Sequence, residues 1–242
     1  MSAESVLTGV DISGNRPKPG PLRSMTTLAD DAPGLSGKTA GDENFPVASL
    51  LVSAGLRPHV MAFYAFARAA DDVADAPDLA PDEKLRRLDA FEAGLDGADG
   101  PKAAAALRAS LAETGVTDAH ARALLSAFRQ DATVRRYRDW DGLLDYCARS
   151  AHPVGRFLLD LHGERAAASP RTYAASDALC AALQVLNHLQ DLRDDLEALD
   201  RVYLPQDWLA AEGIGVEALR AGRASPALRR VIDRALDGCD AL

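Results

Sequence analysis

An all-α fold is predicted for this 242-residue chain from three observations. From Glu43 onward, apolar residues recur at spacings of three and four, the period of a helix that buries one face. Alternating β-branched runs of the kind a half-buried strand needs are almost absent. Gly and Pro punctuate the periodic stretches, where they end one helix and open the next.

The elements follow in order. Helices are expected over 46–54 and 57–76, the first opened by Pro46 and the second stopped before Ala76-Pro77. The third, over 81–95, has Pro81 in its first turn beside Asp82 and Glu83. A missing amide costs nothing there, and negative charge suits the helix dipole. Further helices are expected over 102–113, 118–137, 140–150, 154–162, 172–199 and 226–238, with no fixed-period repeat. Residues 1–42 carry Gly, Pro, Ser, Thr and Asp without periodicity and are expected to form a disordered arm. Residues 43–242 are expected to make one helical domain. The chain closes on Asp240-Ala241-Leu242 within a helical pattern, so further helical sequence is expected beyond it.

Composition narrows the function. With 27 basic and 36 acidic residues the net charge is -9, and no Lys/Arg block is dense enough to track phosphates, so nucleic acid is not expected as a partner. Cys147, Cys180 and Cys239 are odd in number and lack zinc spacing, and they read as buried thiols in a reducing compartment. No apolar run reaches the length of a membrane span, and no secretory signal opens the chain. A cytoplasmic protein is expected, with transient peripheral contact to a membrane left open.

Two segments carry chemistry. In Tyr64-Ala65-Phe66-Ala67-Arg68-Ala69-Ala70-Asp71-Asp72-Val73-Ala74-Asp75, a helical period sets Tyr64, Arg68, Asp71 and Asp75 on one face with Asp72 at its edge. Carboxylates four residues apart can share a divalent cation. Alone, the pattern is more often a solvated face with an Arg68–Asp72 pair. The second segment is Gln184-Val185-Leu186-Asn187-His188-Leu189-Gln190-Asp191-Leu192-Arg193-Asp194-Asp195-Leu196. There Gln184, Asn187, Asp191 and Asp195 form a narrow polar stripe beside Val185, Leu189, Leu192 and Leu196. Facing each other in a bundle, the two helices would converge four carboxylates on one point, where unneutralised charge would repel strongly. Hard oxygen ligands on a shared site point to Mg2+ and a substrate diphosphate.

Both segments resemble the aspartate-rich motifs of the squalene/phytoene synthase family, and three other stretches agree in order and spacing. These are Glu43-Asn44-Phe45-Pro46-Val47-Ala48-Ser49, Asp145-Tyr146-Cys147-Ala148-Arg149-Ser150-Ala151-His152-Pro153-Val154-Gly155, and Arg201-Val202-Tyr203-Leu204-Pro205. The resemblance covers about residues 43–225. It implies an isoprenoid-synthase-type bundle around a cavity and an isoprenoid diphosphate substrate. Within the family, the segments look most like members that add water to presqualene diphosphate in the bacterial hopanoid pathway, giving hydroxysqualene.

By that resemblance Asp71, Asp75, Asn187, Asp191 and Asp195 would bind magnesium and the diphosphate. Tyr64, Arg68 and Gln184 would hold the diphosphate end, and Phe45, Tyr146, Arg201 and Tyr203 would line or close the site. Head-to-head condensation of two prenyl diphosphates uses the same motifs and stays an alternative, as does a noncatalytic assembly protein with this fold.

Plainer readings stand beside these roles. Tyr64 and Tyr146 can be core aromatics, and Arg201 and Tyr203 can fix a turn. His152 reads as a satisfied histidine near a helix start, and His188 is left unassigned. Phe63, Phe66, Phe128 and Phe157 read as packing. Gly213-Ile214-Gly215-Val216-Glu217-Ala218 fits a dinucleotide-binding pattern, but no strand precedes it, so it has no phosphate-binding mechanism.

Overall fold

The computed structural model describes residues 52–164 and 170–242. The arm over 1–42, Phe45 and most of the helix expected over 46–54 lie outside the described residues, and residues 52–54 are not helical. The described residues form ten α-helices: α1 Arg57–Asp75, α2 Pro81–Leu95, α3 Lys102–Thr114, α4 Ala119–Asp131, α5 Trp140–Ser150, α6 His152–Leu161, α7 Pro170–Gln190, α8 Leu192–Leu199, α9 Gln206–Ala211 and α10 Pro226–Asp240. A 3-10 turn spans Val216–Arg220. No strand is formed among the described residues, so the glycine pattern at 213–218 has no βαβ setting.

Local chemistry explains the boundaries that match expectation. Pro81 opens α2 with Asp82 and Glu83 in its first turn, and Gly115 stops α3 in the left-handed region at φ 70°. Asp139 caps α5 by accepting the Gly142 amide at 2.9 Å. Ser225 caps α10 in the same way through Leu228.

Two expected elements differ, and two others were not expected. Helix α4 ends at Asp131 instead of running to 137, because the carbonyls of Arg135, Tyr137 and Arg138 accept from the amides of Val202, Gln206 and Asp207 at 2.9–3.0 Å. The helix expected over 172–199 is broken at Asp191 into α7 and α8. Its C-terminal half is tethered separately: Arg135 donates to the Leu199 carbonyl, and Arg136 to Asp200. Helix α9 and the 3-10 turn were not expected, being too short to show a period.

Two apolar clusters hold the bundle. Phe63, Phe66, Leu88, Phe91, Leu107, Leu124, Leu125 and Phe157 belong to the first, drawn from α1–α4 and α6. The four phenylalanines at 63, 66, 128 and 157 are all buried, with Phe63 stacked on Phe157 at 4.0 Å and Phe66 edge-on to Phe91, so they pack the core as expected. Tyr137, Tyr146, Cys147, Val185, Leu196, Tyr203, Trp208 and Val231 belong to the second. Of the cysteines only Cys147 is buried; Cys180 and Cys239 are half-exposed, and all three are free. Among the described residues no helix is long and apolar enough to cross a membrane.

Helices α6 and α7 meet at Gly155. A Cβ there would lie 2.3 Å from Ser176 Oγ and 2.7 Å from Cys180 Sγ. In a free helix Gly→Ala gains about 0.5–1 kcal/mol; here overpacking, at about 1–3 kcal/mol, is the larger effect. Gly155→Ala should therefore lower the thermal midpoint, and adding Ser176→Ala with Cys180→Ala should restore much of the loss. A single variant that melts at or above the parent temperature would refute the close-contact account.

Candidate active site

The polar centre of the molecule lies between the two apolar clusters, where α1, α4, α5, α7, α8 and the 200–205 segment meet. Helix α1 brings the first acidic motif. Arg68 donates from Nη1 to Asp71 at 2.6 Å and from Nη2 to Asp72 at 3.4 Å. Asp72, expected at the edge of the face, is buried at 9% exposure, whereas Asp71 keeps 30% of its side-chain surface. Burial and the neighbouring Asp75 raise the Asp71 carboxyl to about 7.

Helix α8 brings part of the second motif. Asp195 is half-buried, and burial together with Asp191 lifts its carboxyl to about 7, with Asp75 adding to the effect. Asp191 lies exposed at the N-terminus of α8, its amide still bonded to the Asn187 carbonyl at 3.0 Å. Asn187, Gln184 and Tyr64 are half-buried on their helices. Gln184 donates its amide to the Nε2 of His188 at 3.1 Å.

Arg201 joins the two motifs. Asp200 takes the left-handed conformation, φ 51°, and turns the chain so that the Arg201 amide bonds the Asp195 carbonyl at 3.1 Å. The guanidinium, 4% exposed, lies 2.8 Å from Asp75 Oδ1 and 4.0 Å from Asp131 Oδ1. It also donates to the Asp131 carbonyl and to the Tyr203 hydroxyl, each at 3.3 Å. A buried charge needs such partners.

Around this pair stands an aromatic group. Tyr146, buried on α5, donates to Asp131 Oδ2 at 2.8 Å. Tyr203 stacks on Tyr137, with ring centres 5.4 Å apart, and on His188 at 3.5 Å. Burial, with Arg201 nearby, pushes the His188 imidazole down to about 3, so the ring is neutral and accepts from Gln184.

The structure thus brings Asp71, Asp75, Asp195, Arg201, Tyr146 and Tyr203 into one electrostatic neighbourhood. It does not gather four carboxylates on one point: among the described residues no three His, Cys, Asp or Glu side chains are close enough to hold a single ion. Asp75 is instead paired with Arg201. Sequence reasoning missed Asp131 and the placement of His188. Asp131 carried no signal, because the helix expected over 118–137 set it in mid-helix, and only the structure ends α4 there. His152 is half-buried 3.8 Å from Asp177, and burial lowers its titration below the ordinary range, which fits a partnered histidine.

Hard carboxylate oxygens from two helices make a donor set suited to a divalent cation. One of them, Asp75 Oδ1, is buried with only the Arg201 guanidinium, 2.8 Å away, as its partner. An all-α bundle with an acid-lined, partly buried polar centre is the arrangement expected of an isoprenoid-synthase-type protein. The squalene/phytoene synthase family model matches residues 38–242, and the chain belongs to that family. It is 52% identical to the hydroxysqualene synthase of Rhodopseudomonas palustris over 198 residues, covering 81% of this chain and 66% of that protein. It is 45% identical to the hydroxysqualene synthase of Zymomonas mobilis, covering 83% of this chain and 67% of that protein. The crystal structure of squalene synthase HpnC from Alicyclobacillus acidocaldarius superposes with a TM-score of 0.67 at 36% identity, covering 82% of this chain and 74% of that one. The chain spans 62–67% of the length of three hydroxysqualene synthases it matches.

Proposed function

We propose that the chain converts presqualene diphosphate and water to hydroxysqualene and diphosphate, with magnesium held between the two acidic motifs. The observation that carries this reading is the pairing of those motifs across a buried arginine, in a chain about half identical to hydroxysqualene synthases. Asp71, Asp75, Asn187, Asp191 and Asp195 would hold the metal, a divalent ion of the kind family members typically require. When bound, it supplies electrostatic stabilisation of the leaving diphosphate.

The chain's own residues do the rest. Arg68, Tyr64 and Gln184 orient the diphosphate end. Arg201, buried beside Asp75, would set positive charge next to the diphosphate end. Leu179 and Leu183, exposed on α7 two turns and one turn before Asn187, would offer apolar surface to the hydrocarbon and exclude water from it. Tyr146 and Tyr203, packed around Arg201 and His188, would line or close the site. Contact with a membrane surface, from which so apolar a substrate would be drawn, belongs to the same reading.

Presqualene diphosphate with magnesium and no reductant should give hydroxysqualene, carrying heavy oxygen when the water is so labelled. Adding NADPH should neither speed the reaction nor divert it. Squalene formed only with NADPH would overturn the hydration step and keep the family. Coupling of farnesyl or geranylgeranyl diphosphate, with presqualene diphosphate left unconsumed, would favour condensation.

A further inference from the structure

Asp131 stands outside both acidic motifs, on α4, and is 3% exposed. Everything polar behind the site converges on it. Tyr146 donates to its Oδ2 at 2.8 Å, and the Tyr203 ring stands beside that of Tyr146, with centroids 5.5 Å apart. Arg201 donates to its backbone carbonyl, while the guanidinium stands 4.0 Å from Oδ1. Oδ1 itself is buried without a hydrogen bond, as is Arg201 Nε. A carboxylate kept only for packing would be fully bonded or replaced, since a buried acid with an unmet oxygen is costly.

Direction matters here. A phenol has one hydroxyl proton, and Tyr146 directs it to Asp131 in a hydrogen bond. The phenol oxygen is then left as an acceptor only, with its electron density raised by the anionic partner. The same carboxylate anchors Arg201, which reaches Asp75 of the first acidic motif. Tyr146, Asp131, Arg201 and Asp75 therefore form one chain of contacts from the aromatic wall to the diphosphate end.

We propose that Asp131 is a positioning residue for the reaction: it fixes the hydroxyl of Tyr146 as an acceptor facing the reacting hydrocarbon and seats Arg201 against the acidic motif. This rests on the functional reading above for the role of Tyr146.

The test uses Asp131→Asn, Tyr146→Phe and the double variant in the full chain. Asp131→Asn should cut kcat by about 10- to 100-fold with KM little changed, as expected for an interaction felt in the transition state. The double variant should be no slower than the slower single variant, because Asn takes the charge from the acceptor and Phe removes the donor, so both act on the same charge-assisted hydrogen bond. Independent effects that multiply would overturn the proposal, whereas a Tyr146→Phe enzyme of full activity would overturn the role of Tyr146 itself.

A second readout needs no turnover. With the ring carbon bearing the hydroxyl labelled in the five tyrosines, Tyr146→Phe assigns the Tyr146 signal by its loss. That signal should shift in Asp131→Asn while the Tyr173 signal stays in place. In the unsubstituted chain the Tyr146 hydroxyl proton should exchange slowly, as a buried donor to a carboxylate does, which keeps the proposal testable if Asp131→Asn does not fold. A Tyr146 signal unmoved in a folded variant, or a hydroxyl proton in rapid exchange, would overturn it.

Discussion

Asp71→Asn and Asp191→Asn are expected to leave the helices folded and to reduce magnesium-dependent diphosphate release by about 1000-fold or more, because each removes a hard ligand to a shared metal. Release of diphosphate with and without magnesium, beside far-ultraviolet circular dichroism, is the measurement. Near-normal turnover in both variants would remove the two-motif site.

Stability should move the other way without metal. The Asp71 and Asp195 carboxyls titrate near 7 in the folded chain, against about 4 when unfolded. For a raised acid, the favourable contribution is complete below the unfolded value and is lost as pH rises through the folded one. The metal-free protein should therefore lose stability from these two groups between about pH 4 and pH 7. Asp71→Asn cannot ionise, and with Asp71 still 30% exposed the gain over the parent at pH 7.5 is put at about 1–2 kcal/mol after discounting for solvent. At pH 4 or below the two should melt alike, and magnesium should stabilise only the parent strongly. Equal melting at pH 7.5 without metal would show that the acids do not repel.

Arg201→Met should be the most damaging single change to the fold. It leaves Asp131 and Asp75 facing each other without the charge that now separates them, and breaking a buried pair on one side costs about 3–5 kcal/mol. The size of the chain makes that a fall of about 6–20 °C in the thermal midpoint. Urea unfolding at pH 7.5 gives the free energy directly. Adding Asp131→Asn should recover part of the loss, since the orphaned charge goes with it. A single variant within about 1 kcal/mol of the parent would mean that Arg201 is not the counter-ion the geometry makes it.

The two largest effects differ in kind because the site is built from two kinds of residue. Asp71 and Asp191 are held by their own helices and remain in part open to solvent, so losing them affects chemistry more than folding. Arg201 is held by partners from α1, α4 and its own loop, and losing it affects all three.

What the sequence by itself determined was whatever depends on neighbours a few residues apart. The helical period, the proline and glycine stops and the caps at Asp139 and Ser225 are local, and α2, α3, α5 and α10 formed close to their expected bounds. The face shared by Arg68, Asp71 and Asp75 is fixed by the rise of one helix. The tertiary structure alone decided the rest. The end of α4 at Asp131 and the break at Asp191 come from bonds between 135–138 and 199–207, more than sixty residues apart in the chain, and no local pattern encodes them. Asp131 became the centre of the polar network, and His188 a neutral partner of Gln184 and Tyr203, because burial is a property of the packed bundle. Arg201 showed two charges in sequence, its own and that of Asp200; only the fold set it between Asp75 and Asp131, where low dielectric makes a single guanidinium decisive.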